Sequence, residues 1–137
     1  MSTATFYQPP LEIYWKRYTR FTFDIYDADG ETPLAIESGD NVRFKVWATD
    51  GATPAIECES ATPGSGSYVE VVSTGTSGSV PARVTVHLLQ TDTDDLTVGT
   101  QYYGELLLVD DSDSDRAKPL ARMPLSVIGM AAGDITL

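Results

Sequence analysis

The chain has 137 residues, and 9 Lys and Arg against 20 Asp and Glu give it a formal net charge of −11. This length corresponds to one domain, which can bury roughly two-thirds of its unfolded surface without disulfides or a metal. The acidic balance argues against nucleic-acid binding, because such binders cluster Lys and Arg against phosphates. No apolar run approaches the roughly 18 residues of a membrane span, and the N-terminus lacks a signal-peptide pattern. We expect a protein made in the cytoplasm that binds neither nucleic acid nor membrane.

Apolar and polar residues alternate through most of the chain, and β-branched and aromatic types fill the alternating segments. A period of two is typical of strands with one buried face. The alternation and its Gly, Pro, Ser and Asp boundaries predict eight strands, at residues 11–16, 20–26, 42–49, 55–60, 68–74, 83–88, 102–109 and 120–128. No helix longer than one turn is expected.

Eight short strands at this spacing predict an all-β fold, either a sandwich or a small barrel. Pro124 has no N–H for a ladder bond, so the last strand should lie at an edge or carry a break. The expected organisation is a single sandwich over residues 11–129, with an extended N-terminal arm at 1–10 and a C-terminal tail at 130–137.

The segment before the strand at 102–109 has the spacing of a tyrosine corner, with Leu96, Gly99 and Tyr102. In such a corner the Leu plugs the core, the Gly permits a tight backbone, and the Tyr hydroxyl bonds to upstream backbone. If Tyr102 points inward, period two places four residues on the other face of that strand, namely Tyr103, Glu105, Leu107 and Val109. This apolar face is either covered by the chain's own termini or used as a subunit contact.

Both halves of the chain contain turn and loop motifs that follow one another in a defined order. They include the Asp27-Ala28-Asp29-Gly30 turn between two strands, Thr91-Asp92-Thr93 before the tyrosine corner, and an acidic hairpin before the last strand. In this order they resemble immunoglobulin-like β-sandwich proteins of tailed-phage virions over residues 11–128. The similar proteins are capsid decoration (cement) proteins and the N-terminal domain of baseplate upper proteins.

The resemblance implies an immunoglobulin-like β-sandwich of about seven or eight antiparallel strands and a non-enzymatic structural role in the virion. A capsid decoration protein on the head lattice is preferred, because the chain ends directly after the sandwich. A tail or baseplate component is the alternative. The implied partners are the major capsid protein or tail and baseplate proteins, with further copies of the chain in a homo-oligomer. An adhesion module that binds carbohydrate through Trp15, Trp47 and Tyr103 is a second alternative.

No motif carries the spacing of a catalytic or cofactor site, so we expect no enzyme activity and no cofactor. His87 is expected to face solvent on the polar side of a strand, and Cys58 to be a small buried hydrophobe. The run Asp110–Asp115 begins like a calcium loop but lacks the later Gly and the bidentate Glu, which excludes an EF-hand. Weak calcium binding and a solvated hairpin both remain open for this run.

Twelve residues are candidate contacts with partner proteins. They comprise apolar anchors in the two arms, a basic and aromatic cluster after the first strand, Trp47 on the same face as Arg43 and Lys45, and the apolar face described above. Arg and aromatic side chains supply anchors in protein interfaces. For the basic cluster, charge that blocks edge-to-edge strand pairing is the alternative. The candidates are Phe6, Tyr7, Tyr14, Lys16, Arg17, Arg20, Trp47, Tyr103, Leu107, Val109, Ile135 and Leu137.

Overall fold

The structure is a computed structural model, and it describes residues 5–6, 11–27, 30–48, 53–60, 66–110 and 113–129. Over these residues the chain forms two β-sheets and a single helical turn, which confirms the predicted all-β class. No helix in the described ranges is long and apolar enough to cross a bilayer.

Within that part of the chain the elements follow the predicted order. They are β1 (Thr5–Phe6), β2 (Leu11–Tyr14), β3 (Thr19–Asp24), β4 (Asp40–Ala48), β5 (Ile56–Glu59), β6 (Tyr68–Ser73), β7 (Arg83–Leu88), α1 (Gln90–Thr93), β8 (Gln101–Asp110) and β9 (Asp113–Ile128). All eight predicted strands are present. The additional strand β1 lies in the segment predicted as an N-terminal arm, and α1 is the single turn that the sequence allowed.

The large sheet has the order β1-β9-β8-β4-β5, and β2 also pairs with β9. Both β1 and β2 run parallel to β9, so the prediction of antiparallel strands is wrong for β2, and the segment predicted as an arm contributes a parallel strand. The long β9 accommodates them in succession, with β1 opposite residues up to Arg122 and β2 opposite residues from Leu125. Pro124 lies between these two stretches. Among the described strands, β9 therefore changes its outer partner from β1 to β2 at a residue that has no N–H to donate.

The small sheet is antiparallel in the order β3-β7-β6 and packs face to face with the large sheet. The rings of Phe23 in β3 and Phe44 in β4 meet across the two layers, with centroids 6.3 Å apart. Alternation along each strand sends its apolar residues into this layer. The largest fully buried side chains include Ile13, Phe44, Leu88, Leu106, Met123 and Leu125.

The predicted corner is present where the chain enters β8. The Tyr102 hydroxyl accepts a hydrogen bond from the backbone N–H of Thr97 at 2.9 Å, and Leu96 is 3% exposed. Gly99 has a φ of +85°, in the left-handed region that favours glycine. The roles predicted for these three residues are therefore confirmed. The corner fixes which residues of β8 face the core and which face outward.

Candidate functional site

The side of the large sheet that points away from the core, called the outer face below, carries a row of apolar side chains. In this aromatic row Trp47 of β4 pairs in register with Tyr103 of β8, which pairs with Pro124 of β9. Tyr103 is 36% exposed, and the other two are half-buried. The ammonium of Lys45 lies 5.9 Å from the Trp47 ring centroid. Side-by-side aromatic rings on an accessible sheet face are a typical protein-binding feature.

A second row on the outer face, called the charged row below, alternates in sign. In register across four strands it contains Glu57, Lys45, Glu105 and Arg122. The Lys45 ammonium lies 3.9 Å from the Glu57 carboxylate. Cross-strand neighbours of opposite charge attract each other weakly.

A third row places an ion pair beside an apolar residue. The Arg43 guanidinium lies 3.2 Å from the Glu59 carboxylate, and Leu107 follows Arg43 in register on β8. The Asn41 amide also donates to Glu59, at 2.9 Å. This row extends the outer face beyond the charged row. Its two formal charges, on Arg43 and Glu59, are paired with each other within the sheet.

The three rows of the outer face are balanced in charge on a strongly acidic chain, and Glu12 of β2, opposite Ser126 on the same face, adds one acidic group outside the rows. The rows contain three acidic residues, Glu57, Glu59 and Glu105, and three basic ones, Arg43, Lys45 and Arg122. Taking three from each total leaves 17 acidic and 6 basic residues for the rest of the chain. Charges that balance within one face remove the repulsion that the remaining surface presents to another acidic molecule.

Four of the predicted contact residues, Tyr14, Trp47, Tyr103 and Leu107, lie on this face. Val109 does not contribute accessible surface, since it is only 2% exposed. It pairs in register with Asn41, which is itself 1% exposed and bonds to Glu59 and Ser60. Alternation predicted that Val109 would be accessible on the outer face. Alternation alone does not reveal that Val109 is covered at this end of the sheet.

The predicted basic cluster is divided between separate parts of the molecule. Tyr14, 42% exposed, ends β2 at the edge of the large sheet, whereas Arg20 belongs to β3 in the small sheet. Lys16 and Arg17 lie in the turn between them. Lys16 approaches Asp94 at 3.8 Å, and the Arg17 carbonyl accepts a hydrogen bond from Thr93. Tyr14 therefore lies on the same sheet face as Trp47, whereas Lys16, Arg17 and Arg20 do not join Trp47 in one surface.

Several further predictions lie outside the described part of the chain. They concern the side chains of Phe6, Asp111, Asp113 and Asp115 and the residues Tyr7, Ile135 and Leu137. Trp15 is described and half-buried against the core, with the Lys16 ammonium 4.5 Å from its ring centroid. The aromatic platform predicted from three residues is thus reduced to Trp47 and Tyr103.

The opposite side of the molecule holds a polar cluster that was not predicted. His87 is only 8% exposed, because its ring lies between those of Tyr18 and Tyr68, with centroids 5.8 and 4.5 Å away. Its Nε2 is 2.9 Å from a Glu70 carboxylate oxygen, and its Nδ1 shares a hydrogen bond with the Tyr18 hydroxyl. The prediction of a solvent-facing His87 was wrong. These contacts tie β6 and β7 to the segment before β3.

Cys58 is buried, as predicted, at 4% exposure beside Phe44, whose carbonyl accepts its S–H at 3.7 Å. Burial raises the pKa of the Cys58 thiol to about 12, with further contributions from Asp92, Glu57 and Glu59. A thiol in this environment remains protonated near neutral pH and is a poor nucleophile. Across the described ranges, no three His, Cys, Asp or Glu side chains are grouped to hold a metal ion.

No protein-family model matches the chain, and no curated protein is significantly similar to it. Of the two sheet faces, the outer face combines exposed aromatic area with balanced charge. The small-sheet face uses its polar groups to bond its own strands to one another.

Proposed function

We propose that this chain is a non-enzymatic structural protein of a tailed-bacteriophage virion, built as an immunoglobulin-like β-sandwich that binds other virion proteins. The preferred position is that of a capsid decoration (cement) protein on the head lattice. The observation that carries the protein-binding role is the outer face, where Trp47 and Tyr103 lie side by side on a neutral patch of an acidic chain. The assignment to a virion is supported by the resemblance of the sequence motifs.

The immunoglobulin-like assignment is supported by strand order. In such domains one sheet contains strands B, E and D, and the other contains G, F and C, extended in variable-type domains by C′. The order β3-β7-β6 corresponds to the first sheet and β9-β8-β4-β5 to the second. The hydrogen bond from Thr97 to Tyr102 corresponds to the tyrosine corner at the start of strand F.

Binding by such a face is mechanical and requires no chemical step. Aromatic side chains contribute most of the free energy when a partner excludes water from them, and charged neighbours select the partner and its orientation. Many copies on a repeating lattice convert weak individual contacts into strong overall attachment. Contacts that bridge adjacent capsid subunits would stabilise the assembled shell, because the bound state is favoured by mass action.

Co-sedimentation of the purified chain with undecorated phage heads from the same source tests this proposal. We expect saturable binding, weakened about tenfold or more by the double substitution Trp47→Ala and Tyr103→Ala. Val72→Ala is the matched control, because Val72 is 51% exposed on the small sheet. Equal binding by all three proteins would contradict a role for the outer face. Binding to tails but not to heads would indicate that the chain is a tail or baseplate component.

The adjacency of Trp47 and Tyr103 also favours a second candidate, an adhesion module that binds carbohydrate. Sugar rings stack on aromatic side chains, and this pair places two of them in register on one sheet face. A glycan array distinguishes the candidates. A glycan signal that is lost in Trp47→Ala would support adhesion, and an array without signal would remove this candidate.

A further inference from the structure

We infer that the outer face is the contact between two copies of this chain, related by a two-fold axis parallel to β4 and β8. This inference rests on the proposed function and deepens it, since it names a second copy as the virion protein that the outer face binds. The paired copies then reach the head lattice through other surfaces, and loss of pairing weakens attachment because each chain loses its second point of attachment. It follows from the order of side chains in the charged row and the aromatic row. A two-fold contact uses the same surface on both copies, so that surface must be complementary to itself.

The charged row meets this requirement. A two-fold axis that runs along the strands, between β4 and β8, reverses the order of the four strands in the facing copy. Glu57 of one copy then lies opposite Arg122 of the second copy, and Lys45 lies opposite Glu105 of the second copy. All four residues of the row meet an opposite charge. An axis across the strands that passes through the charged row would instead set each charge against the same residue of the second copy, and like charges in contact disfavour that arrangement.

The aromatic row meets the same requirement under the same axis. Trp47 of one copy lies opposite Tyr103 of the second copy, and the reverse contact is made by symmetry. Pro124 faces Ala55, which precedes β5 and donates its N–H to the Val46 carbonyl. Buried aromatic pairs at the centre of an interface supply most of its binding energy, and surrounding charges fix its orientation.

The size of the face fits a reversible dimer. The three rows cover the five register pairs from Arg43–Leu107 to Trp47–Tyr103, which extend about 17 Å at about 3.4 Å per residue, and four strands span about 19 Å. The product is about 320 Å² per copy, which is the size of a weak, transient contact. Two sheets whose strands run nearly parallel pack stably at about 10 Å separation. We therefore expect a dissociation constant in the micromolar range.

Sedimentation velocity on the full chain, over a concentration series in the micromolar range, tests the inference with two charge reversals. Lys45→Glu sets two acidic side chains against each other at both symmetry-related contacts, and Glu105→Lys does the same with two basic ones. Each variant alone should dimerise about tenfold more weakly than the unaltered chain. An equimolar mixture of the two should regain dimerisation, because the carboxylate introduced by Lys45→Glu in one copy then faces the ammonium introduced by Glu105→Lys in the other. Glu37→Lys, the same charge change at an exposed site off the face, is the matched control and should leave dimerisation unchanged.

A chain that stays monomeric, single variants that dimerise like the unaltered chain, or a mixture that fails to recover would each overturn the inference. If a charge reversal unfolds the chain, as circular dichroism would show, Tyr103→Ala provides a second variant that should weaken dimerisation about tenfold. Unchanged dimerisation in that variant would also overturn it. If the chain is monomeric and still binds heads, the dimer inference is wrong and the proposed function is supported. If the chain dimerises but binds no virion component, the proposed function is wrong and the dimer inference is supported.

Discussion

The Tyr102 hydroxyl accepts a hydrogen bond from the backbone N–H of Thr97, with 2.9 Å between oxygen and nitrogen. Thr97 lies in the loop after α1, and Tyr102 lies near the start of β8. The bond therefore holds the chain at its entry into the large sheet. Since Tyr103 follows directly, the same contact fixes the residue that enters the aromatic row of the outer face.

Removal of this hydroxyl should destabilise the fold without changing it. Tyr102→Phe keeps the buried ring, which is part of a residue only 5% exposed, and deletes only the acceptor for Thr97. We expect a loss of about 1 kcal/mol in the free energy of unfolding, measured by urea denaturation. Tyr103→Phe is the matched control on the exposed face and should change the value by less than about 0.5 kcal/mol. Equal losses in the two variants would show that the Thr97 bond contributes nothing specific.

Gly104 should not tolerate a side chain. A Cβ at this position would lie 2.5 Å from the Met123 sulfur and 2.9 Å from the Phe44 ring. Gly104→Ala therefore forces the core to shift, at an expected cost of about 1–3 kcal/mol in thermal or urea unfolding. Gly66→Ala, where nothing lies within 4 Å of the added Cβ, should be close to neutral. A neutral Gly104→Ala would mean that Met123 and Phe44 move aside at no cost.

The Cys58 thiol should resist labelling by Ellman's reagent in the folded chain and react readily in urea. Its pKa is raised by burial from 9.0 to about 12, so above pH 9 the unfolded chain loses this proton while the folded chain keeps it. Stability from this group is complete below pH 9 and is lost as the pH rises towards 12, at about 1.4 kcal/mol per pH unit. Subtraction of the same pH series for Cys58→Ala isolates the effect. A difference that does not change with pH would contradict the assigned environment.

The His87 cluster should behave as a structural element. His87→Ala removes a ring stacked between Tyr18 and Tyr68, and we expect a loss of about 2–3 kcal/mol in urea unfolding. Glu70→Gln keeps the shape but removes the charge on the 2.9 Å contact, at a cost of about 1 kcal/mol. Glu57→Gln alters only the longer 3.9 Å pair with Lys45 and should leave the free energy of unfolding nearly unchanged. If Glu70→Gln changes the free energy of unfolding no more than Glu57→Gln does, the bond between Glu70 and His87 contributes nothing specific to stability.

Local patterns predicted the strands and the corner because both depend on neighbours in sequence. Alternation placed Phe23 and Phe44 inward, and the spacing of Leu96, Gly99 and Tyr102 predicted the hydrogen bond that the structure contains. These features need only the period of a strand and the chemistry of one loop.

Features that depend on pairing between distant segments were not predicted. His87 is buried because β6 brings Tyr68 beside it in register and the segment before β3 brings Tyr18. The alternating charged row requires the registers of β5, β4, β8 and β9 together. A one-residue slip in any of these strands would send its member of the row to the opposite face, so no local pattern could have revealed it.

Electron cryomicroscopy of undecorated phage heads incubated with the purified chain tests the central claim most directly. The account predicts added density at regular positions of the head lattice. Within it, the two-layered domains should fit in pairs with their Trp47 and Tyr103 faces turned towards each other. Heads that remain bare in the presence of excess folded chain would contradict a decoration role.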